Sequence, residues 1–357
     1  MSETPLSAVV PEGETETAIA ALRAEGVYDD GRSVRPYGNE AVAIPVTRPP
    51  DTTAVREVVQ EAGQPRLRTL EDHLRERGWS EADLEQAPSS WAVLGTVILV
   101  EVGDAPKPED AAGPDGSSDP PVAPAPEDIG DALLALHGEA DTVLARGGVA
   151  GEHREPAVSV LAGEGDTETV HVEHGTTYAM DLAEVMFAPG NKAERARMGE
   201  VTGPAERVLD MFAGIGYFAL PMARAGAEVT AVERNPTAFQ YLLENAMRND
   251  VTDRLHAYRG DNREVVPELV REARFDRVVM GYYEAHEYLD SALAALAPGG
   301  VVHMHEATPS GLVYDRPIER LRAAADEHGR AVEVLDTRRV KGYSEGVDHV
   351  VVDARVD

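Results

Sequence analysis

The chain reads as an α/β protein: a doubly wound, mainly parallel sheet closed by an antiparallel hairpin, with a smaller α/β domain ahead of it. Three observations carry this. β-prone apolar runs near 207–211, 228–233, 255–260, 275–281 and 299–305 alternate with helical segments, and alternating β and α units fold as a parallel sheet with helices on both faces. The first two runs end in acids, Asp210 and Glu233, and a Gly-rich turn follows the first. Two late runs, Ala331–Leu335 and Val347–Asp353, flank a short Gly-containing stretch and are expected to pair as the closing hairpin.

Ahead of the sheet the elements are shorter. Residues 1–60 form a small N-terminal segment, with short strands at 27–32 and 40–46 around a turn. Residues 61–176 are expected to be a middle α/β domain, and 177–357 the main sheet domain. In the middle domain, Arg68–Gln86 has a helical pattern, Trp91–Val102 is a single β-prone run, and Ile129–Leu144 is helical again. Pro156–Leu161 and Thr169–Glu173 read as strands. Between them, residues 103–128 hold Pro, Gly, Ser, Asp and Ala with little to bury, and are expected to be a disordered insertion. No internal repeat is visible.

Composition limits the partners. The 357 residues carry a net charge of −31, and only Lys107, Lys192 and Lys341 of the 33 basic residues are lysines. Such an acid excess fits a cytosol of multimolar salt. Bulk attraction to phosphate is weak there, because about 1 M salt shortens the Debye length to about 3 Å. A nucleic-acid substrate is therefore not excluded, but it has to be held by local arginines, stacking and shape. The absence of cysteine removes disulfides, thiolate zinc sites and cysteine-ligated clusters. No secretory signal and no run of roughly 18–20 apolar residues is read, so a cytoplasmic, non-membrane protein is expected.

The turn after the first strand, Asp210-Met-Phe-Ala-Gly-Ile-Gly216, lets a ligand approach the backbone at Gly214 and Gly216. Glu233 is placed to accept two ribose hydroxyls. Asp210 would repel a pyrophosphate but welcome a cationic sulfonium with an ammonium group. Gly260-Asp261-Asn262 ends the third strand, where an acid can receive an adenine amino group. Together these favour S-adenosylmethionine over a nicotinamide dinucleotide; the alternative for each acid alone is a helix cap or a solvated loop carboxylate, and for Asp261-Asn262 alone that alternative is the better reading.

Further motifs are Glu173-His-Gly175, Phe187-Ala-Pro-Gly-Asn191, Glu194-Arg195-Ala-Arg197, Glu233-Arg-Asn-Pro236, Asp276-Arg-Val-Val-Met280 and Val340-Lys-Gly-Tyr343. With the Gly-rich turn they give a chain that resembles the tRNA position-37 modifying enzymes, which comprise guanine N1-methyltransferases and wyosine-pathway aminocarboxypropyltransferases. The resemblance implies a class I S-adenosylmethionine-dependent fold with an RNA-facing middle domain. It also implies a tRNA partner engaged at its anticodon loop, with no obligate protein partner and no metal. After Met280 the methyltransferase branch has Asn-Leu-Pro, whose Asn contacts the target guanine. Here Gly281-Tyr282-Tyr283 and His303-Met-His-Glu306 look like the other branch. That branch moves the 3-amino-3-carboxypropyl group of S-adenosylmethionine to C7 of 4-demethylwyosine in phenylalanine tRNA; guanine-37 N1-methylation is the alternative.

The resemblance also places the segment from Phe187 to Arg195 against the amino-acid end of the cofactor. Ala188 would offer only its backbone, and Arg195 is the candidate for the carboxylate because a guanidinium fork suits it. Glu194 is either a base or an orienting partner of Arg195. Phe212, Ala213, Asn235, Asn262 and Gly281 complete the expected lining, and Tyr282 the expected orienting set. Tyr282 and Tyr283 read equally as a base-stacking pair or a plug of the strand end. His303 and His305 share one strand face, but no third ligand at a recognisable spacing accompanies them. Arg338-Arg339-Val-Lys341 reads as a phosphate contact or a solvated turn.

Overall fold

The computed structural model describes residues 5–61, 63–102, 125–151 and 154–357. The chain divides into two compact units, Met1–Ala87 and Pro88–Asp357. In the first, an antiparallel sheet runs in the order Arg35–Pro36, Ala41–Val46, Leu6–Pro11, Glu57–Gln60. Helix Thr15–Ala24 buries Ala18 and Leu22 against Ala8, Val10 and Ile44. The expected strand at 27–32 is reduced to two isolated bridges, Tyr28 to Val46 and Arg32 to Pro65. The helical pattern of 68–86 is two helices, Leu70–Glu76 and Glu81–Leu84. Gly78 between them has φ +92°, and Ser80 with Asp83 starts the second by a capping box.

The second unit begins with a mixed sheet ordered Trp91–Leu94, Val97–Val100, Thr142–Ala150, Glu155–Gly163. The apolar run expected as one strand is thus a hairpin that turns at Gly95-Thr96. A Cβ on Gly95 would stand 2.5 Å from the Val170 carbonyl oxygen, and its φ is +60°, so the turn needs glycine. The helix expected to reach Leu144 spans Pro126–Leu136, and Thr142–Leu144 already belong to a strand. Most of the expected insertion, 103–124, lies outside the described residues; Pro126–Asp128 open that helix. A further hairpin, Glu168–Glu173 with Thr176–Asp181, turns on His174 and Gly175, both with positive φ.

The large sheet has seven strands, labelled β1 (Arg207–Asp210), β2 (Glu228–Glu233), β3 (Leu255–Arg259), β4 (Phe275–Met280), β5 (Leu296–Pro309), β6 (Val332–Ser344) and β7 (Val347–Val356). Their order is β3-β2-β1-β4-β5-β7-β6. The first five are parallel and β7 runs antiparallel to both neighbours, closing the sheet as a hairpin with β6. Alternate residues feed opposite faces: Val208, Val229, Ala231 and Val279 enter one core, Leu209, Val232, Val278 and Met280 the other. Leu94, Val97, Leu99 and Leu144 of the mixed sheet join the first of these cores. Among the described residues no helix is long and apolar enough to cross a membrane.

Candidate active site

The strand order reverses at β1, with β2 on one side and β4 on the other, and a cleft opens there at the carboxyl ends of the strands. Its wall includes Ala188, Arg195, Phe212, Gly214, Glu233, Asn235, Asp261, Asn262, Gly281 and Tyr282. Asp210, Ala213, Gly216 and Glu194, also expected in the site, are not among the residues that line it. Gly214 (φ +55°) turns the chain tightly, and a Cβ there would lie 2.3 Å from the Tyr217 ring. Glu233 locks the turn: its carboxylate accepts from the backbone N–H of Gly214 and of Asn235, each at 2.7 Å. Asn235 caps the next helix through the N–H groups of Thr237 and Ala238. Asp261 caps the helix after β3 through Arg263 N–H at 2.8 Å. Both short polar residues thus serve as caps and still face the cleft.

Electrostatically this end is acidic, with Arg234 in the same wall 3.7 Å from Asp261. Asp210 is fully buried; one carboxylate oxygen accepts from Phe212 N–H at 3.2 Å and, among the described residues, the other has no hydrogen-bond partner. Burial raises its pKa to about 7, against the Phe212 hydrogen bond and helped by the charge of Glu233. Burial also raises Glu233, which the Asn235 and Gly214 N–H groups only partly offset. Asn262 donates to the Met211 carbonyl, while its own oxygen is buried and, among the described residues, unpartnered. Two raised acids, an orphaned amide oxygen and a glycine cradle fit a ligand that is cationic, carries a diol and presses against the backbone.

The other end is aromatic. Tyr282 stacks on Phe212 with centroids 5.1 Å apart, Tyr288 meets Phe212 edge-on, and Arg154 lies over the rings of Tyr282 and Tyr283 at 5.6 and 5.3 Å. Gly281 sits against Phe218, whose ring edge would be 2.7 Å from a Cβ at that position. His305 and His349 close this end, hydrogen-bonded to each other. Sequence reasoning missed Arg154, Phe218 and His349 here. For His349 the pairing of the closing hairpin with β5 was a usable signal.

The acids and arginines between the two ends pair differently from expectation. Arg195 is buried and lines the cleft, but its fork closes on Glu173, at 2.5 and 3.1 Å, and it donates to the Ala188 carbonyl. Burial alone would raise Glu173; hydrogen bonds from His171 and Arg195 outweigh it and hold the acid at about 2. Glu194 does not orient Arg195. Its two oxygens accept from Arg338 at 2.6 and 2.8 Å, and Arg338 also bonds Asp353. The expected phosphate-contact or turn residue Arg338 is therefore a strand residue in a buried ion network. His303 is bonded to Asp353 and Arg277 rather than standing free beside His305. Replacing Arg338 by Met strands Glu194 and part of Asp353, and is expected to cost about 3–5 kcal/mol of stability. Urea unfolding should show the midpoint falling with the slope unchanged, in low and high KCl alike, because buried pairs are poorly screened. An unchanged midpoint would make this network marginal.

Two family models match the chain in succession. The TYW2 N-terminal domain model matches residues 70–167, and the TRM5/TYW2 methyltransferase domain model matches 169–335. The tRNA(Phe) (4-demethylwyosine(37)-C(7)) aminocarboxypropyltransferase of Pyrococcus horikoshii is 38% identical over 271 residues, 75% of this chain and 90% of that protein. The structure of P. horikoshii TYW2 in complex with MeSAdo superposes with a TM-score of 0.63 at 35% identity, covering 79% of this chain and 96% of that one. Trm5b from Pyrococcus abyssi superposes with a TM-score of 0.69 at 30% identity over 99% of each chain. With two family models matching in order and a relative this similar across three quarters of the present chain, the chain belongs to the TRM5/TYW2 family.

Proposed function

We propose that the protein transfers the 3-amino-3-carboxypropyl group of S-adenosylmethionine to C7 of 4-demethylwyosine at position 37 of phenylalanine tRNA, in the cytoplasm of a cell rich in salt. The observation that carries this reading is Gly281 packed on Phe218. The methyltransferase branch needs an Asn at this strand end, and here a Cβ would already meet the ring at 2.7 Å. The relative of known structure that holds MeSAdo supports the same leaving group.

When bound, the donor supplies an electrophilic propyl carbon: its bond to sulfur breaks with the electron pair staying on sulfur, a bond to C7 forms, and methylthioadenosine leaves. The protein's part is placement. A sulfonium activates three carbons, and the one held in line within about 3–3.5 Å of the nucleophile reacts. Glu233 takes the ribose hydroxyls, Asp261 and Asn262 the adenine side, and the Gly214 turn the nucleoside backbone. Asp210, buried at the end of β1, adds negative potential for the cation. Tyr282 and Tyr283, with Arg154 over them, form the platform for an unstacked base. Glu194, bound by Arg338, serves as a positioning residue for the β6 strand. The RNA-facing role falls to the middle segment, residues 61–176, of which the mixed sheet is part.

Two measurements test the reading. Protein in high KCl, given S-adenosylmethionine and tRNA bearing the precursor base, should release methylthioadenosine; S-adenosylhomocysteine would instead establish a methyltransferase. Glu233→Ala removes two charge-assisted contacts, each worth about 1.5–3 kcal/mol, so calorimetry should show donor affinity at least about 100-fold weaker. Wild-type affinity in that variant would remove the pocket assignment.

A further inference from the structure

Alkylation at a ring carbon displaces a proton, and the acids near the cleft are poorly placed to take it. Both oxygens of Glu194 are held by Arg338 and both of Glu173 by Arg195. Glu233 and Asp261 stand on β2 and after β3, at the nucleoside end, and Asp210, at the end of β1, is not among the residues that line the cleft. Tyr282 donates to Glu284 at 2.7 Å and is pushed up to about 12, the direction that weakens a proton acceptor at neutral pH when the proton must leave first.

The histidine pair remains. His305 lies on β5 beside the end of β4, where Met280 and Met304 are in register; Gly281 and His305 are therefore neighbouring positions. His349 reaches the same place from β7. His305 Nδ1 and His349 Nε2 are 2.9 Å apart, and both residues line the cleft while being 2% and 1% exposed. Among the described residues, neither His305 Nε2 nor His349 Nδ1 has a hydrogen-bond partner. Phe218 packs on His305 and Tyr283 on His349, with centroids 5.2 and 4.8 Å apart. A buried polar nitrogen without a partner is destabilising, and two such atoms at one wall of a cleft call for something that satisfies them.

We infer that His305 and His349 act as a proton relay that removes the proton displaced from the alkylated carbon. This rests on the aminocarboxypropyl reading. In the neutral pair one proton lies between the rings, so in either tautomer one outer nitrogen is bare and the other carries a proton. With the bridging proton on His305, its Nε2 accepts the proton from C7 as the electron pair of the C7–H bond returns to the ring. The bridging proton then passes to His349 Nε2, and His349 Nδ1 gives up its own proton to solvent admitted through the cleft that His349 lines. The pair ends neutral, in its other tautomer. Relay suits the surroundings better than storage: burial, with Arg338 near His305 and with His305 and Lys341 near His349, holds the two pKa values at about 3 and about 2.

The test uses His305→Asn and His349→Gln, which keep the inner hydrogen bond and delete one outer nitrogen each. Single-turnover rates are read with tRNA whose 4-demethylwyosine carries hydrogen or deuterium at C7, beside calorimetry of S-adenosylmethionine. The expected result is unchanged donor affinity, a rate about 100-fold lower or less, and a primary isotope effect absent from wild type. Loss of the proton has then become the slow step. Wild-type rates, or slow rates without an isotope effect in both variants, would overturn the relay. Release of S-adenosylhomocysteine by the unmodified protein would sink the aminocarboxypropyl reading instead, and the relay with it.

Discussion

Asp210→Asn is expected to yield a protein that is more stable at pH 8 than the wild type and binds S-adenosylmethionine more weakly. The carboxyl has a folded pKa of about 7 against an ordinary 3.8, because burial disfavours its charge and Glu233 repels it. A folded pKa above the unfolded one gives stability that is fully present below pH 3.8 and is lost as pH rises through about 7. The wild type should therefore fall behind the Asn variant as pH rises from 4 to 7, by about 1–4 kcal/mol at most, with no further divergence above pH 8. Parallel stability curves from pH 4 to 8 would show that Asp210 carries no such penalty. The reason to retain an unfavourable acid is the ligand. A cation at the cleft meets an uncompensated negative group at the end of β1, and an Asn offers it only a dipole. Calorimetry at pH 8 should show weaker donor binding in the variant. Wild-type binding should also tighten as pH rises through 7, where Asp210 ionises.

That combination explains which parts of the site were legible in the sequence. The strand-end acids and the glycine turn are local: Asp210, Gly214 and Glu233 are fixed by where a β-run stops and a helix begins. The sheet order follows from alternating elements, and the closing hairpin from two apolar runs around Gly346. Pairings between distant segments were not legible. Arg195 and Glu173 are 22 positions apart on different elements, and Arg338 and Glu194 are 144 apart. Adjacency had suggested Glu194 as the partner of Arg195, but consecutive helical residues point about 100° apart. The apolar run 91–102 concealed its own turn, because Gly95 is the only mark of it and Thr96 is an ordinary strand residue. Leu6–Pro11, the strand between Ala41–Val46 and Glu57–Gln60, begins and ends beside prolines, which blunts a strand signal.

Gly281→Asn is expected to inactivate the protein without turning it into a methyltransferase. Any side chain at 281 starts from a Cβ 2.7 Å from the Phe218 ring, which is itself 4% exposed and packed on His305. Overpacking of this kind costs about 1–3 kcal/mol. The strain falls where the cleft needs its shape, and a displacement near 1 Å at a reacting centre can cost about 100-fold in rate. The expected readout is a single-turnover rate at least about 100-fold lower, with donor affinity, set mainly at Glu233 on the other side of β1, changed much less. Phe218→Leu removes the ring edge, so the Gly281→Asn, Phe218→Leu double variant should regain part of the lost stability. If the by-product of the double variant is still methylthioadenosine, the choice of carbon lies in how the donor is seated rather than in the residue at 281. If it becomes S-adenosylhomocysteine, the glycine itself selects the reaction, and room beside Phe218 is all that separates the two branches at this strand end.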